Sequence, residues 1–245
     1  MNSESSSAPR DVFVTTRWTM VLSAGRKSSP HSDRALGELC QTYWYPLYAF
    51  VRRQGKTKED AEDLVQAFFA RFLEKNYLEG LAAERGKFRA FLLASLKHFL
   101  ANEWDKSQAQ KRGGGTEHLS LNWQDADQRF HLDPPDPTNP ERLFDREWAL
   151  ALLDRVIARL ADECERDGKA ELFAHAKGFL TAGQDVLPYA DAARALGLEE
   201  GALRVAVHRL RKRYRALLRD EIAQTLEDSA QVDEELRSLL AALVG

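Results

Sequence analysis

An apolar stripe of helical period constrains this chain more than any other feature. Ala61, Leu64, Val65, Phe68, Phe69 and Phe72 recur at i, i+3, i+4, i+7, i+8 and i+11, which gathers them on one face of an α-helix. A second stripe follows beyond Gly86, where Phe88, Phe91, Leu92, Ser95, Leu96, Phe99 and Leu100 repeat the spacing. Thr57-Lys58-Glu59-Asp60 has the form of a helix start, with Thr57 as cap and Asp60 three residues on. Both stripes are expected to pack as core. No long Val/Ile/Thr run alternates with period two, no Asn-Gly or Asp-Gly turn joins strand-like runs, and no repeat of solenoid length occurs. The expected fold class is all-α.

Punctuation divides the helical pattern. Gly113, Gly114 and Gly115 end the first helical stretch, and Asp133-Pro134-Pro135-Asp136-Pro137 and Asn139-Pro140 keep the chain extended after it. The expected organisation is two small helical domains: a tail over 1–11, a first domain over 12–112, a linker over 113–140, a second domain over 141–222 and an extension over 223–245. Between Thr116 and Glu147 eight carboxylates face three arginines, so the linker is acidic; Trp123 and Phe130 are its candidates for docking. In the extension, Leu236, Leu239, Leu240 and Leu243 form a stripe expected to pack as a helix on the second domain, with partner binding as the alternative.

Charge is segregated rather than large. The formal net charge is only -3, yet Gly201 to Arg219 holds Arg204, Arg209, Arg211, Lys212, Arg213, Arg215 and Arg219 with no acid, while the residues beyond Arg219 hold seven acids against Arg237. A local positive field in a nearly neutral protein points to a polyanionic partner. Cys40 and Cys164 lack any CxxC or His neighbour, so neither a disulfide framework nor a structural zinc site is expected; they read as free thiols in a reducing compartment. No cofactor, metal or catalytic residue is expected. The Ser-rich start has no apolar run, and no segment approaches the ~20 apolar residues a bilayer span requires, so the expected location is the cytoplasm, with no membrane partner.

Pro188 to Leu210 carries the most specific local pattern. Pro188 opens a helix, Ala192 and Ala193 allow close crossing, Gly197 supplies a left-handed turn, and Leu198 is expected to plug the space between helices. Leu196, Leu203, Val207 and Leu210 complete a shared core. The second helix then presents Arg204, His208, Arg209 and Arg211 outward, as a helix entering the major groove requires. On the second aromatic stripe, the neighbouring Arg85, Lys87, Arg89 and Lys97 suit single-stranded nucleic acid, although aromatic residues at this spacing are more often core.

Taken in order, these segments resemble sigma-70 family factors of the extracytoplasmic-function type. Ala35-Leu36 through Tyr43-Trp44-Tyr45-Pro46-Leu47-Tyr48 is similar to the first helix of the promoter-melting domain, and Glu59-Asp60-Ala61-Glu62-Asp63-Leu64-Val65-Gln66-Ala67-Phe68-Phe69 to the core-polymerase-binding helix. Phe88-Arg89-Ala90-Phe91-Leu92 through Lys111-Arg112 resembles the minus-ten helix, and Tyr189 to Leu218 the minus-thirty-five helix-turn-helix. The resemblance implies that Glu59, Glu62, Asp63 and Gln66 bind the clamp helices of the polymerase's largest subunit, with the flap as a further contact. It implies minus-ten contacts from Lys97, His98, Asn102, Lys106, Lys111 and Arg112, and minus-thirty-five contacts from Arg204, Val205, His208, Arg209, Arg211 and Lys212. It admits an anti-sigma factor or a kinase as regulator, and no small-molecule substrate. The chain departs from the family in having Phe91 where Trp is common, His98 where Asn is common, and Val205 where Ser is common; valine donates no hydrogen bond but can meet a thymine methyl. The stretch from Cys164 to Leu187 is also longer than usual.

Two other classes stand beside this one. A helix-turn-helix regulator with an N-terminal sensing or dimerisation domain would bind duplex DNA without polymerase. An enzyme with a DNA-binding tail would need a reactive motif, and G-x-x-x-x-G-K, G-x-S-x-G, H-E-x-x-H and a dinucleotide loop are all absent from the sequence.

Overall fold

The computed structural model describes residues 30–73, 87–109, 130, 139–181 and 188–244. Over these the chain is helical: α1 (Pro30–Arg53), α2 (Lys58–Leu73), α3 (Phe88–Ala109), α4 (Pro140–Arg166), α5 (Ala170–Ala176), α6 (Gly178–Thr181), α7 (Tyr189–Ala195), α8 (Glu200–Ala223), a single 3-10 turn (Ser229–Gln231) and α9 (Val232–Val244). Among the described residues there is no strand, only one isolated antiparallel bridge between Lys87 and Leu226. The all-α class expected from periodicity is what the structure has. The tail, Gly86, Trp123 and most of the linker lie outside the described residues.

Local chemistry sets the helix ends. The backbone N–H of Asp60 donates to the Thr57 hydroxyl at 3.1 Å, so Thr57 caps α2 as its position suggested. Asn139 caps α4 through Oδ1, which accepts from Glu141 and Arg142 N–H groups, and Pro140 follows at a position where no N–H is needed. α4 ends on Gly168, whose φ of 69° lets the Lys169 N–H turn back to the Cys164 carbonyl at 2.7 Å.

Both apolar stripes are core. Ala61, Val65, Phe68, Phe69 and Phe72 of α2 are all inaccessible, and Phe88, Leu92 and Leu96 of α3 join them. Phe68 meets Phe99 edge-on at 5.7 Å, and Phe72 lies 5.9 Å from Phe91. Ser95 is buried in the α3 stripe and satisfies its hydroxyl on the Phe91 carbonyl at 2.8 Å, one turn back. Cys40 and Cys164 are buried free thiols; burial pushes both above the ordinary thiol value.

The most extensive packing is between α1 and α4, helices from opposite sides of the Pro/Gly-rich stretch. α4 buries Phe144, Trp148, Leu152, Val156, Leu160 and Cys164. A four-residue step overshoots a full turn by about 40°, so this stripe winds around α4 and faces different neighbours along its length. α1, α8 and α9 all pack on α4, and the buried side chains of all these helices form one continuous cluster. The extension forms a helix: Leu239 of α9 is inaccessible, Leu236 and Leu243 are partly buried, and Leu240 remains 53% exposed. Phe130, from the acidic stretch, docks between the guanidinium groups of Arg52 and Arg53, each 4.5 Å from its ring centre.

Candidate nucleic-acid interface

α7 and α8 are joined by a four-residue turn, Leu196 to Glu199. At Gly197 the backbone has φ 64°, a left-handed conformation that costs an L side chain about 1–2 kcal/mol and glycine nothing. That geometry lets the Gly197 N–H reach the Arg194 carbonyl at 3.2 Å and the Leu198 N–H reach the Ala193 carbonyl at 2.9 Å, which closes α7 and releases the chain into α8. Pro188 stands just outside α7, as its cap in extended backbone, rather than as its first helical residue. Ala193, Leu203, Val207 and Leu210 are buried and Leu196 is partly buried, as the pattern required. Leu198 differs from expectation: it is 42% exposed, because the turn points its side chain outward.

The outer face of α8 separates into open and occupied cations. His208, Arg209, Lys212 and Arg215 are exposed and make no ion pair among the described residues. His208, Lys212 and Arg215 follow one another at i, i+4 and i+7, a single row along the helix. Arg215 was not among the expected contacts, although this spacing is legible in the sequence. Val205, 52% exposed, lies beside the row. Arg204 is exposed but oriented: its guanidinium lies 4.3 Å over the Tyr189 ring and bonds Glu200 at 2.9 and 2.6 Å. Arg211 is not on the outer face. It is half-buried and donates twice to the Phe179 carbonyl, at 3.0 and 2.7 Å, so it anchors α8 to α6.

α3 carries the second set of expected contacts. His98 and Asn102 are exposed on one face, and Lys97 bonds Glu141 in the first turn of α4. The Lys106 side chain, Lys111 and Arg112 lie outside what the structure describes. Of the cations flanking the aromatic stripe, Arg89 is committed inward. It bonds Glu235 of α9, 1% exposed, at 2.5 Å and also Asp145 of α4, with the Trp148 ring 4.8 Å away. Burial alone would lower the Arg89 value; the hydrogen bond and charge of Glu235, with Asp145, outweigh it and hold the guanidinium above its ordinary value. Lys87 also reaches Glu235, at 2.8 Å. The stripe's rings are spent in the core, and the exposed ring of α3 is Trp104, 59% accessible, with Lys56 Nζ 5.0 Å above it.

The α2 face opposite the core holds Glu59 and Asp63, exposed, and Glu62 and Gln66, half-buried. Asp63 lines a groove of about 660 Å³ between α2 and α3, together with Asp60, Lys56, Lys97 and Trp104. The acidic surface of α2 and the mixed surface of α3 therefore adjoin. No cluster of His, Cys, Asp and Glu with metal-holding geometry occurs among the described residues, and none of the described helices is long and apolar enough to cross a membrane. Comparison with protein-family models, curated proteins and solved structures finds no match.

Proposed function

We propose that this chain is a transcription initiation factor of the sigma-70, extracytoplasmic-function type, which binds core RNA polymerase and directs it to promoter DNA without a reaction of its own. The observation that carries this is the α7–turn–α8 unit. Its glycine turn fixes the crossing of the two helices, and α8 offers the exposed row His208, Lys212 and Arg215, with Arg209 beside it, none in an ion pair among the described residues. A helix of this diameter enters a major groove about 12 Å wide, where arginine pairs with guanine or phosphate and Val205 can meet a thymine methyl.

The remaining roles follow the ordered resemblance. Glu59, Glu62, Asp63 and Gln66 form the polymerase-facing surface of α2, and His98, Asn102 and Lys97 the minus-ten surface of α3. Opening the duplex draws on capture of unpaired bases, for which Trp104 is the accessible stacking ring. The protein works in the cytoplasm, where its polymerase and promoter are, and needs no cofactor.

Run-off transcription with purified core polymerase tests this. Wild-type protein should stimulate initiation from a cognate promoter, and Asp63→Arg should abolish stimulation while leaving duplex binding by Arg209 and its neighbours intact. Specific duplex binding with no association with core enzyme would instead indicate a helix-turn-helix regulator.

A further inference from the structure

Several cations on the two helices proposed to face DNA are already held by carboxylates from elsewhere in the fold. Lys97 of α3 bonds Glu141 of α4, although their side chains are 40% and 58% exposed. Arg213 of α8 sets Nε and Nη2 against the two oxygens of Glu163 of α4, both at 2.7 Å, in a bidentate pair. Arg219 of α8 bonds Asp233 of α9 at 2.5 Å, with side chains 48% and 71% exposed. None of the three acids belongs to α3, α7 or α8. Glu141 and Glu163 stand on α4 and Asp233 on α9, and both of these helices pack on α8.

Solvent-screened pairs of this kind add little to folding stability, so stability does not account for three of them on these two helices. Their effect on a polyanion is more direct. A phosphate approaching Lys97, Arg213 or Arg219 competes with a carboxylate that is tethered beside its partner at high effective concentration and already offsets part of the cation's charge. The hydrogen bond from Arg213 holds Glu163 below the ordinary carboxylate value, so that competitor stays ionised at neutral pH.

We propose that Glu141, Glu163 and Asp233 are intramolecular competitors of DNA phosphate for Lys97, Arg213 and Arg219, and keep the affinity for DNA below what the basic helices alone would give. Binding then depends most on the open row His208, Lys212 and Arg215 and on Arg209 beside it, and the shielded cations engage only when the acids are drawn away. This rests on the DNA-binding reading of α3 and α8 and adds a limit on it.

Two triple variants with equal charge change test it by fluorescence anisotropy, using a labelled mixed-sequence duplex over a salt series. The first is Glu141→Gln, Glu163→Gln, Asp233→Asn. The second is Glu165→Gln, Glu171→Gln, Glu227→Gln, all exposed acids that make no ion pair among the described residues. Unmasking should tighten binding by about 3- to 30-fold over the second variant, and steepen the slope of log affinity against log salt by roughly one to three. Equal shifts in the two variants, or none in the first, would overturn the shielding while leaving DNA binding standing. Absence of duplex binding by wild type and both variants at low salt would overturn the DNA reading itself, and the shielding with it. Asp233→Asn alone, at a carboxylate 71% exposed, should move affinity the same way by a smaller factor with an unchanged melting temperature. An unchanged affinity for that folded single variant counts against the proposal.

Discussion

Trp148 donates its indole Nε1–H to the hydroxyl of Tyr43 across 2.8 Å in the buried core. The two residues stand on α4 and α1, on either side of the Pro/Gly-rich stretch, and both are inaccessible. A lone buried N–H costs about 1–3 kcal/mol, so this bond favours the packing of α4 on α1, helices from either side of the Pro/Gly-rich stretch. Tyr43→Phe should leave the indole N–H unpartnered and lower the melting temperature by roughly 3–10 °C. Far-UV circular dichroism and tryptophan fluorescence should still report one coincident transition. Two separated transitions would show that the halves do not share a core in solution.

Gly197 is the second point of leverage. Its φ of 64° disfavours any side chain, although nothing lies within 4 Å of where a Cβ would stand. Gly197→Ala should therefore destabilise by about 1–2 kcal/mol through backbone strain alone. The turn sets the crossing of α7 and α8, so duplex binding should weaken as well. A folded Gly197→Ala variant with wild-type stability would contradict the strained-turn account.

Arg209 and Arg211, two residues apart, should behave oppositely. Arg209 is exposed without an ion pair among the described residues, and Arg211 holds the Phe179 carbonyl. Arg209→Ala should reduce duplex affinity about 10-fold, within the 1–3 kcal/mol usual for a base or phosphate contact, at constant melting temperature. Arg211→Ala should lower the melting temperature instead, because it removes two donors from a partly buried carbonyl. Anisotropy titrations and thermal scans on the same two preparations separate these effects.

The Glu163–Arg213 pair predicts an acid limb. The hydrogen bond from Arg213, with its charge, holds the Glu163 carboxyl below its ordinary value. A carboxyl lowered on folding contributes stability that is present above its unfolded value, near pH 4.3, and is lost as the pH falls through the folded value. Wild type should lose stability on acidification below about pH 4.5 more steeply than Glu163→Gln. Melting temperatures between pH 3 and pH 6 measure the difference; parallel curves would show that the pair does not form in solution.

Much of this was legible in the sequence because it is local. The periods of Ala61 to Phe72 and of Phe88 to Leu100 name the buried faces of α2 and α3, and Thr57 and Gly197 act through hydrogen bonds that span six residues or fewer. The row His208, Lys212 and Arg215 follows from helical spacing alone. The outward turn of Leu198 was not legible, since it depends on how α7 crosses α8. Nor was the fate of individual cations. A run of arginines reads as one basic surface, yet Arg211 turns to Phe179, Arg213 to Glu163 and Arg219 to Asp233, while Arg209 stays open.

What the sequence determined by itself was the class of fold, the ends of several helices and the segregation of charge, because each rests on neighbours within a few turns of chain. Only the tertiary structure decided which of those charges remain available. Arg89 and Glu235 are 146 residues apart and meet, partly buried, at 2.5 Å; Arg155 and Glu221 are 66 apart and meet at 3.1 Å. No local period encodes such pairs. They form because burying the apolar faces of α1, α4, α8 and α9 together brings their flanking charges within reach, and a charge withdrawn from water must find its opposite there.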